Sequence, residues 1–592
     1  MDFNVKNQQN KLLEGKKRFV RSSKAVNRNS PAFKSAGIHQ VANSFFSFVQ
    51  SSDIMGPVIV DLSSMIIPRT VIDYTRGEDA GIETFRREVS SSANLFLMPG
   101  LYALGTGWLL NKSANKVPNL AIDKSTMDAL TRAWLSSGGN TEKYFANILE
   151  AGEGLSSIGK NGESPWRPFP KHEISEYAKR LARAAENKTG QELSHELTCL
   201  KDDAVKVLQT EKKVRIFGEK GSQTEVKTLF KNAADMYQRV FRGQTDDVVK
   251  ATVEKMGFRS IKKSAAGMAI ATGVALSLQY LNRYMTERKT GSHAFVGLPD
   301  YQKNLKNQPG LSNEEKKQNK LKLFGAKVLS AAAMIYLVGM SFAGSINPLK
   351  AAKAFKPKQL AKTFEFSGIL PSMKHMQGLY GATVVGRVFA SDDGNELRET
   401  NIRDMFGYLN LLVLGGLISS GSAYALAKYK GVDLGHIFSG PELPEGGIGK
   451  KLWHVMSNMS QRTLKEIDAL GLNKNAARLA KGVSNKSNFI GLAYSSIALG
   501  VLTPWINKWL TSKAVTKKEK QAKAKTEEIA KQKPDPIKEK EKYQEKFAQN
   551  KLMVEQVLGR LETYPQTSHP AGNQVSQDFF YEKFFKNKNS II

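Results

Sequence analysis

The residues best suited to chemistry lie in two short acidic connections. Asp79-x-Gly81-x-Glu83 and Asp392-x-Gly394-x-Glu396 repeat one pattern, and Arg86, Arg87, Arg398 and Arg403 follow within a few residues. Carboxylates and guanidiniums this close to apolar sequence could line an entrance or bind a charged solute, because charges beside lipid need partners. The same letters have a plainer use. Asp and Gly suit a turn, and Glu suits the first turn of a helix, where it meets the positive end of the dipole.

Other arrangements fall short of a reaction. Gly154-Leu155-Ser156-Ser157-Ile158-Gly159-Lys160 has phosphate-loop spacing, but Asn161 stands where Ser or Thr should hold magnesium. The preceding KYFANILEA reads as helix, not strand. His195-Glu196 lacks a second histidine four residues after the first, so it makes no zinc helix. Cys199 is the only cysteine, which rules out an intrachain disulfide and any cysteine-based metal site. With no Ser/His/Asp or Cys/His signature, the chain is read as a non-enzyme without catalytic residues, cofactor or metal.

The elements around these connections are apolar and come in pairs. Asn94 to Lys112, NLFLMPGLYALGTGWLLNK, aligns without a gap on Asn410 to Lys428, NLLVLGGLISSGSAYALAK. Asn94/Asn410, Gly100/Gly416, Gly105/Gly421 and Lys112/Lys428 coincide, and each copy has the length of a membrane-crossing helix. Upstream, Thr70-Val71-Ile72 matches Thr383-Val384-Val385, and Arg87-Glu88 matches Arg403-Asp404. Downstream, Ile270-Ala271-x-Gly273-Val274 matches Ile497-Ala498-x-Gly500-Val501. The matches fall in one order: segment A, acidic connection, segment B, polar insertion, segment C.

This predicts an all-α polytopic membrane bundle built from two duplicated units. A basic arm covers residues 1–53. The first unit runs from 54 to 286, with a helical polar insertion at 113–262, and the second from 368 to 511. Between them, 287–367 holds a basic loop and a linking apolar helix at 323–346, and a charged tail covers 512–592. Segment 54–72 is interrupted by Pro57, Asp61 and Pro68, so a re-entrant or interfacial pair competes there with a span. Segment 368–390 carries Pro371, Lys374 and Arg387; Arg76 and Arg387 read as snorkelling charges at the ends of the A segments. In the insertion, periodicity predicts helices at 125–135, 172–186, 191–210, 226–241 and 246–256, with Ser125 and Asp128 resembling a capping box. Up to Gln532 the tail suits a solvated helix, broken by Pro534 and Pro536, and FFYEKFFKNK near its end suits a surface contact.

Gly100, Gly105, Gly416 and Gly421 are read as helix-packing positions, since small residues let helices approach closely in lipid. The mean hydropathy of -0.37 is polar for such a protein, which long polar loops would explain. A soluble helical protein with buried apolar helices is the third reading. The formal charge of +32 favours an anionic partner. It is spread over loops and tails without a nucleic-acid-binding signature, so lipid headgroups are expected, with a protein partner or self-association besides. The N-terminus has no apolar signal stretch, and loop charge puts it in the cytoplasm of a multi-pass arrangement.

Two functions remain in play. One is a membrane scaffold or anchor holding basic regions at the bilayer; the other is a transporter or channel-like protein with a pathway between the units. A water-lined, polar interface between the B copies would favour passage, and a dry, fully packed one the scaffold.

Overall fold

The computed structural model describes residues 43–50, 54–75, 77–112, 118–160, 163–217, 223–290, 313–368, 370–392, 394–510 and 536–562, with isolated positions between 512 and 524. The chain divides into a unit of residues 1–515 and a second of 516–592. Arg76, most of the N-terminal arm and the FFYEKFFKNK stretch lie outside the described residues.

Helix α1 (Met55–Tyr74) is continuous, with a π-helical stretch at Asp61–Ile66. Pro57 falls in the first turn of its opening α-helical stretch, where a missing N–H costs little. Pro68 follows directly on the π segment, whose altered bonding releases the carbonyl that a proline would otherwise block. Helices α2 (Glu78–Phe96) and α3 (Met98–Lys112) meet at Leu97 with a 53° bend. Asn94 to Lys112, expected as one straight helix, is divided here: Pro99 breaks it, because its ring excludes the carbonyl of Leu95 from helical pairing.

The insertion forms α4 (Lys124–Leu135), α5 (Thr141–Glu150), β1 (Gly152–Leu155), β2 (Trp166–Pro168), α6 (Lys171–Asn187), α7 (Gly190–Leu208), β3 (Val214–Ile216), β4 (Gln223–Thr224) and α8 (Val226–Met236). A π-helical turn at Tyr237–Phe241 extends α8. The four strands make an antiparallel sheet in the order β2-β1-β3-β4. The expected purely helical insertion is therefore corrected. Trp134 stacks on Phe241 at 5.2 Å and meets Tyr144 edge-on at 5.6 Å in its core. Asp123, rather than Ser125 with Asp128, caps α4 by accepting from the Thr126 N–H at 2.9 Å.

Helix α9 (Asp246–Thr290) runs 45 residues out of this domain, about 68 Å at 1.5 Å per residue. Helix α10 (Asn313–Ala343) returns, and short helices α11 (Pro348–Lys353) and α12 (Pro357–Thr363) follow. Helix α13 (Met373–Ala390) is buried along most of its length. Helix α14 (Glu396–Tyr429) contains π-helical stretches at Asn401–Met405 and Asn410–Leu414. Strands β5 (Phe438–Ser439) and β6 (Ser460–Gln461) pair around α15 (Ile448–Asn458), followed by α16 (Leu464–Ala469) and α17 (Lys474–Leu510). In the second unit, α18 (Pro536–Glu562) starts at the proline expected to end a helix; φ near −65° suits the first helical position.

Helices α1, α9, α10, α14 and α17 are each long and apolar enough to cross a membrane, and the bent α2–α3 pair makes a sixth candidate. They are not a hidden core. Only 22–39% of the residues in the most apolar windows of the five are buried. Leu62, Leu101, Leu329, Phe406 and Trp505 stand exposed on different helices, more apolar surface than water-soluble monomers ordinarily leave uncovered.

The two polar insertions meet in one domain. Gly440 bonds to Ser157 and Gly159 through backbone pairs of 3.0 and 2.9 Å, so the phosphate-loop look-alike holds the chain's own backbone. Arg462, 2% exposed, donates to the carbonyls of Gly435, Gln209 and Ser156. Glu466 caps α16 through Thr463 and also accepts from the Thr210 hydroxyl at 3.1 Å and the Glu211 N–H at 2.5 Å.

Candidate functional site: a buried arginine–carboxylate cluster

The first acidic connection is helical from Glu78 on, whereas in the second Asp392 precedes the helix and Glu396 lies in the first turn of the segment Gly394–Thr400, as expected of a Glu at a helix start. Gly77, with φ +150°, starts α2, and Asp79 and Glu83 lie in its first two turns. Asp79 is exposed and pairs with Lys289 on α9 at 2.8 Å, while Glu83 is buried. On the other side, Arg283 of α9 reaches both Asp392, at 2.5 Å, and the buried Glu396. Arg398 donates to the Leu510 carbonyl at 3.1 Å, pinning the end of α17, and Arg86 is half-buried. Asp392, Glu396 and the charge of Glu83 therefore meet at Arg283, whereas Asp79 and Arg398 are engaged at other helix ends.

Arg87 and Arg403 converge as well, in company that sequence reasoning did not assign. Glu88 on α2 lies 3.6 Å from Arg69 of α1, 3.4 Å from Arg87 and 3.7 Å from Arg387 of α13. Asp404 on α14 lies 2.9 Å from Arg387 and 3.2 Å from Arg403. All six side chains are 8% exposed or less. Arg387 also donates to the Ser91 hydroxyl at 2.8 Å, and Arg69 to the Arg403 carbonyl at 3.4 Å. Arg387 is thus the bridge between two carboxylates, not a snorkelling charge.

Two widened turns help to aim the cluster. Asp61 starts the π segment of α1, where the Ser92 hydroxyl donates to it, and Arg403 and Asp404 lie in a π segment of α14. Such single-turn segments recur at functional positions. Nearby, the Ser64 and Ser496 hydroxyls meet at 2.6 Å.

The cluster sits towards one end of the apolar helices: Arg387 is three residues from the end of α13, and Arg403 and Asp404 lie in the first turns of α14. Gly386, next to Arg387, packs on the Leu276 backbone of α9 so closely that a Cβ there would lie 2.5 Å from the Leu276 oxygen. Leu276 is about 20 Å along α9 from Lys263 but only about 10 Å from the ion-paired Arg283, at 1.5 Å per residue. The cluster is also nearly dry: the cavity beside it, lined by Asp61, Glu88, Ser92, Tyr380, Thr383 and Arg387 among others, measures about 20 Å³. That is room for one water molecule.

Close helix contacts run through glycines of α9 and α17 that meet residues within one turn of those singled out. A Cβ at Gly267 would lie 2.7 Å from the Ala103 backbone, and one at Gly491 2.9 Å from the Ser419 side chain. Gly105 and Gly416 face open space, Gly421 has room before Met456, and Gly100 is buried. Among the described residues, no three His, Cys, Asp or Glu side chains are grouped to hold a metal ion.

No protein-family model, curated protein or solved structure matches the chain.

Proposed function

We propose that this protein is an integral membrane scaffold whose two duplicated helical units are clasped, inside the bundle, by the Arg69/Arg87/Glu88–Arg387/Arg403/Asp404 cluster. One observation carries the reading: charged groups from both arms of the bundle pair with each other around a cavity of only about 20 Å³. A charge in lipid is tolerated when it faces the bundle interior and is paired there. Such a clasp holds helices together and leaves no path for a solute.

The duplication gains support from contacts between the same two segments, B and C, in each unit, though not at matching positions of C. Asn94 donates to the Ala271 carbonyl of α9, and its counterpart Asn410 accepts from the Tyr494 hydroxyl of α17. Ala103 and Ser419, aligned in sequence, each receive a glycine of the following C helix. In this reading A, B and C cross in each unit, with the 18-residue, largely buried α13 added to the six candidates as the second A, and α10 crosses between the units, giving seven crossings and two parallel repeats. Both polar insertions then share a face, as their common domain requires. Gln50 accepts from the Leu464 N–H at 3.0 Å, which supports the N-terminal arm on that face too. The chain is not an enzyme in this proposal, and the scaffold's business is to hold the domain and its basic surroundings at the membrane.

Cys199, exposed on α7, makes the test direct because it is the only cysteine. In sealed cells or vesicles, a membrane-impermeant maleimide should reach Cys199 from one side only. A Cys199→Ser chain carrying Lys508→Cys should label from the other. Labelling of both from the same side, or release of the protein by carbonate, would overturn the proposal.

The transport reading rests on Asp61 facing the one-water cavity between the units. Solute or proton flux in proteoliposomes that Asp61→Asn abolishes would favour it over the scaffold.

A further inference from the structure

Where α10 ends, the chain does not return to the domain at once but lies down as α11 and α12. Its placement is tightly set. Asn347 caps α11 by accepting from the Leu349 N–H at 2.9 Å, and Ala351 packs against Gly339 of α10. Phe355 and Phe364 pack on Phe342 at 6.0 and 5.5 Å, and the Tyr336 hydroxyl donates to the Ile346 carbonyl at 2.7 Å. On the far side, Phe366 N–H donates to the Ser264 hydroxyl, and Glu365 accepts from the Lys124 N–H at 2.6 Å. The corner is therefore wedged between the apolar end of α10 and the start of the extramembrane domain.

What this corner presents outward is one-signed. Lys350, Lys353, Lys356, Lys358 and Lys362 are all exposed. Glu365, the one acidic residue between 347 and 366, is turned to Lys124 of the domain. Beside the lysines, Ile346 and Leu349 are each 72% exposed, continuing the apolar surface of α10. Exposed aliphatic side chains rimmed by lysines, at the end of an apolar helix, have the chemistry of the hydrocarbon–headgroup boundary. Water or a soluble acidic partner would match the lysines but leave the two aliphatic side chains without a counterpart.

We propose that the α11–α12 corner is a docking platform for an anionic leaflet, its lysines gathering phospholipid headgroups of net negative charge while Ile346 and Leu349 enter the acyl region. The proposal rests on the membrane reading above and adds a lipid preference to it. Lysines near an anionic surface each contribute on the order of a five-fold preference, which falls once salt shortens the Debye length from about 10 Å at 0.1 M to about 3 Å at 1 M.

The test uses the full chain with Cys199→Ser and a single fluorophore on Leu349→Cys. It is reconstituted into phosphatidylcholine vesicles containing a minor share of phosphatidylserine, with a nitroxide quencher on one lipid or the other. Quenching by labelled phosphatidylserine should exceed that by labelled phosphatidylcholine at equal label by at least about two-fold. The excess should vanish at high salt and when the five lysines are changed to Gln. Leu329→Cys, 73% exposed in mid-helix, is the internal control. If Leu329→Cys is quenched by acyl-chain labels but Leu349→Cys does not distinguish the headgroups, the platform is refuted and the membrane reading stands. If Leu329→Cys is not quenched, the membrane reading fails and takes the platform with it.

Discussion

If charge balance holds the clasp, Glu88→Gln should destabilise the bundle more than Arg387→Gln, although each side chain makes three polar contacts. The ion pairs of the cluster join four guanidiniums, from Arg69, Arg87, Arg387 and Arg403, to two carboxylates, Glu88 and Asp404. Arg387→Gln leaves three against two, and Asp404 keeps Arg403 at 3.2 Å while Glu88 keeps Arg69 and Arg87 at 3.6 and 3.4 Å. Glu88→Gln leaves four against one, with Arg69 and Arg87 losing the only carboxylate within 4 Å that the described ion pairs give them. Removing one partner of a buried pair typically costs about 3–5 kcal/mol. Glu88→Gln is expected at the upper end and Arg387→Gln at or below the lower end. The assay is thermal unfolding of the purified protein in detergent, followed by size exclusion. At about 2.1 cal/mol/K per residue, a unit of this size shifts by roughly 1 °C per kcal/mol, so the Glu88 variant should lose about 5 °C. Two variants indistinguishable from the parent, or an Arg387 variant worse than the Glu88 variant, would refute the charge-balance argument.

Further outcomes follow from individual contacts. Gly386→Ala would drive a Cβ into the Leu276 backbone, which cannot rotate away, so it should cost about 1–3 kcal/mol; Gly105→Ala, facing open space, should be neutral in the same melting assay. Arg462→Met would strip three carbonyls of their shared donor, at about 1–3 kcal/mol for each group left unpaired, and should raise protease cutting and hydrogen exchange between residues 430 and 470 while sparing the bundle. Lys201, 7% exposed, is opposed by burial, yet its hydrogen bonds to Asp202 and Glu211 raise its pKa above the ordinary 10.5. Its stabilisation should therefore be complete below that value and fade as pH climbs through the higher folded-state pKa, a loss that alkaline unfolding should show and Lys201→Met should remove.

The helices of the insertion were legible because their apolar faces recur at helical spacing: 172–186 was expected and Lys171–Asn187 observed, 191–210 expected and Gly190–Leu208 observed. The sheet was not, since strands of two to four residues carry no measurable alternation. The long apolar stretches were legible from composition, and Pro99 could have announced the break at Leu97. Of the site, Arg87 and Arg403 were singled out for their place beside the B segments. Glu88 and Asp404 were used only as alignment marks, although an Arg-acid dipeptide repeated at the edge of two apolar stretches was the available signal. Arg387 was assigned to the interface because a charge near a helix end usually snorkels. What overrules that habit is a contact between residues 17 and 296 positions apart, to Asp404 and Ser91, which no local pattern contains.

A closed clasp makes one demand that a pathway does not: its centre must be sealed from both sides. Asp61→Cys, Ser92→Cys and Thr383→Cys, each in a Cys199→Ser background, place thiols around the one-water cavity. In intact membranes, small water-soluble thiol reagents added to either side should leave all three unmodified, while denatured samples react fully. Modification of these positions in the folded protein from either side would contradict the scaffold and open the junction between the units to solute.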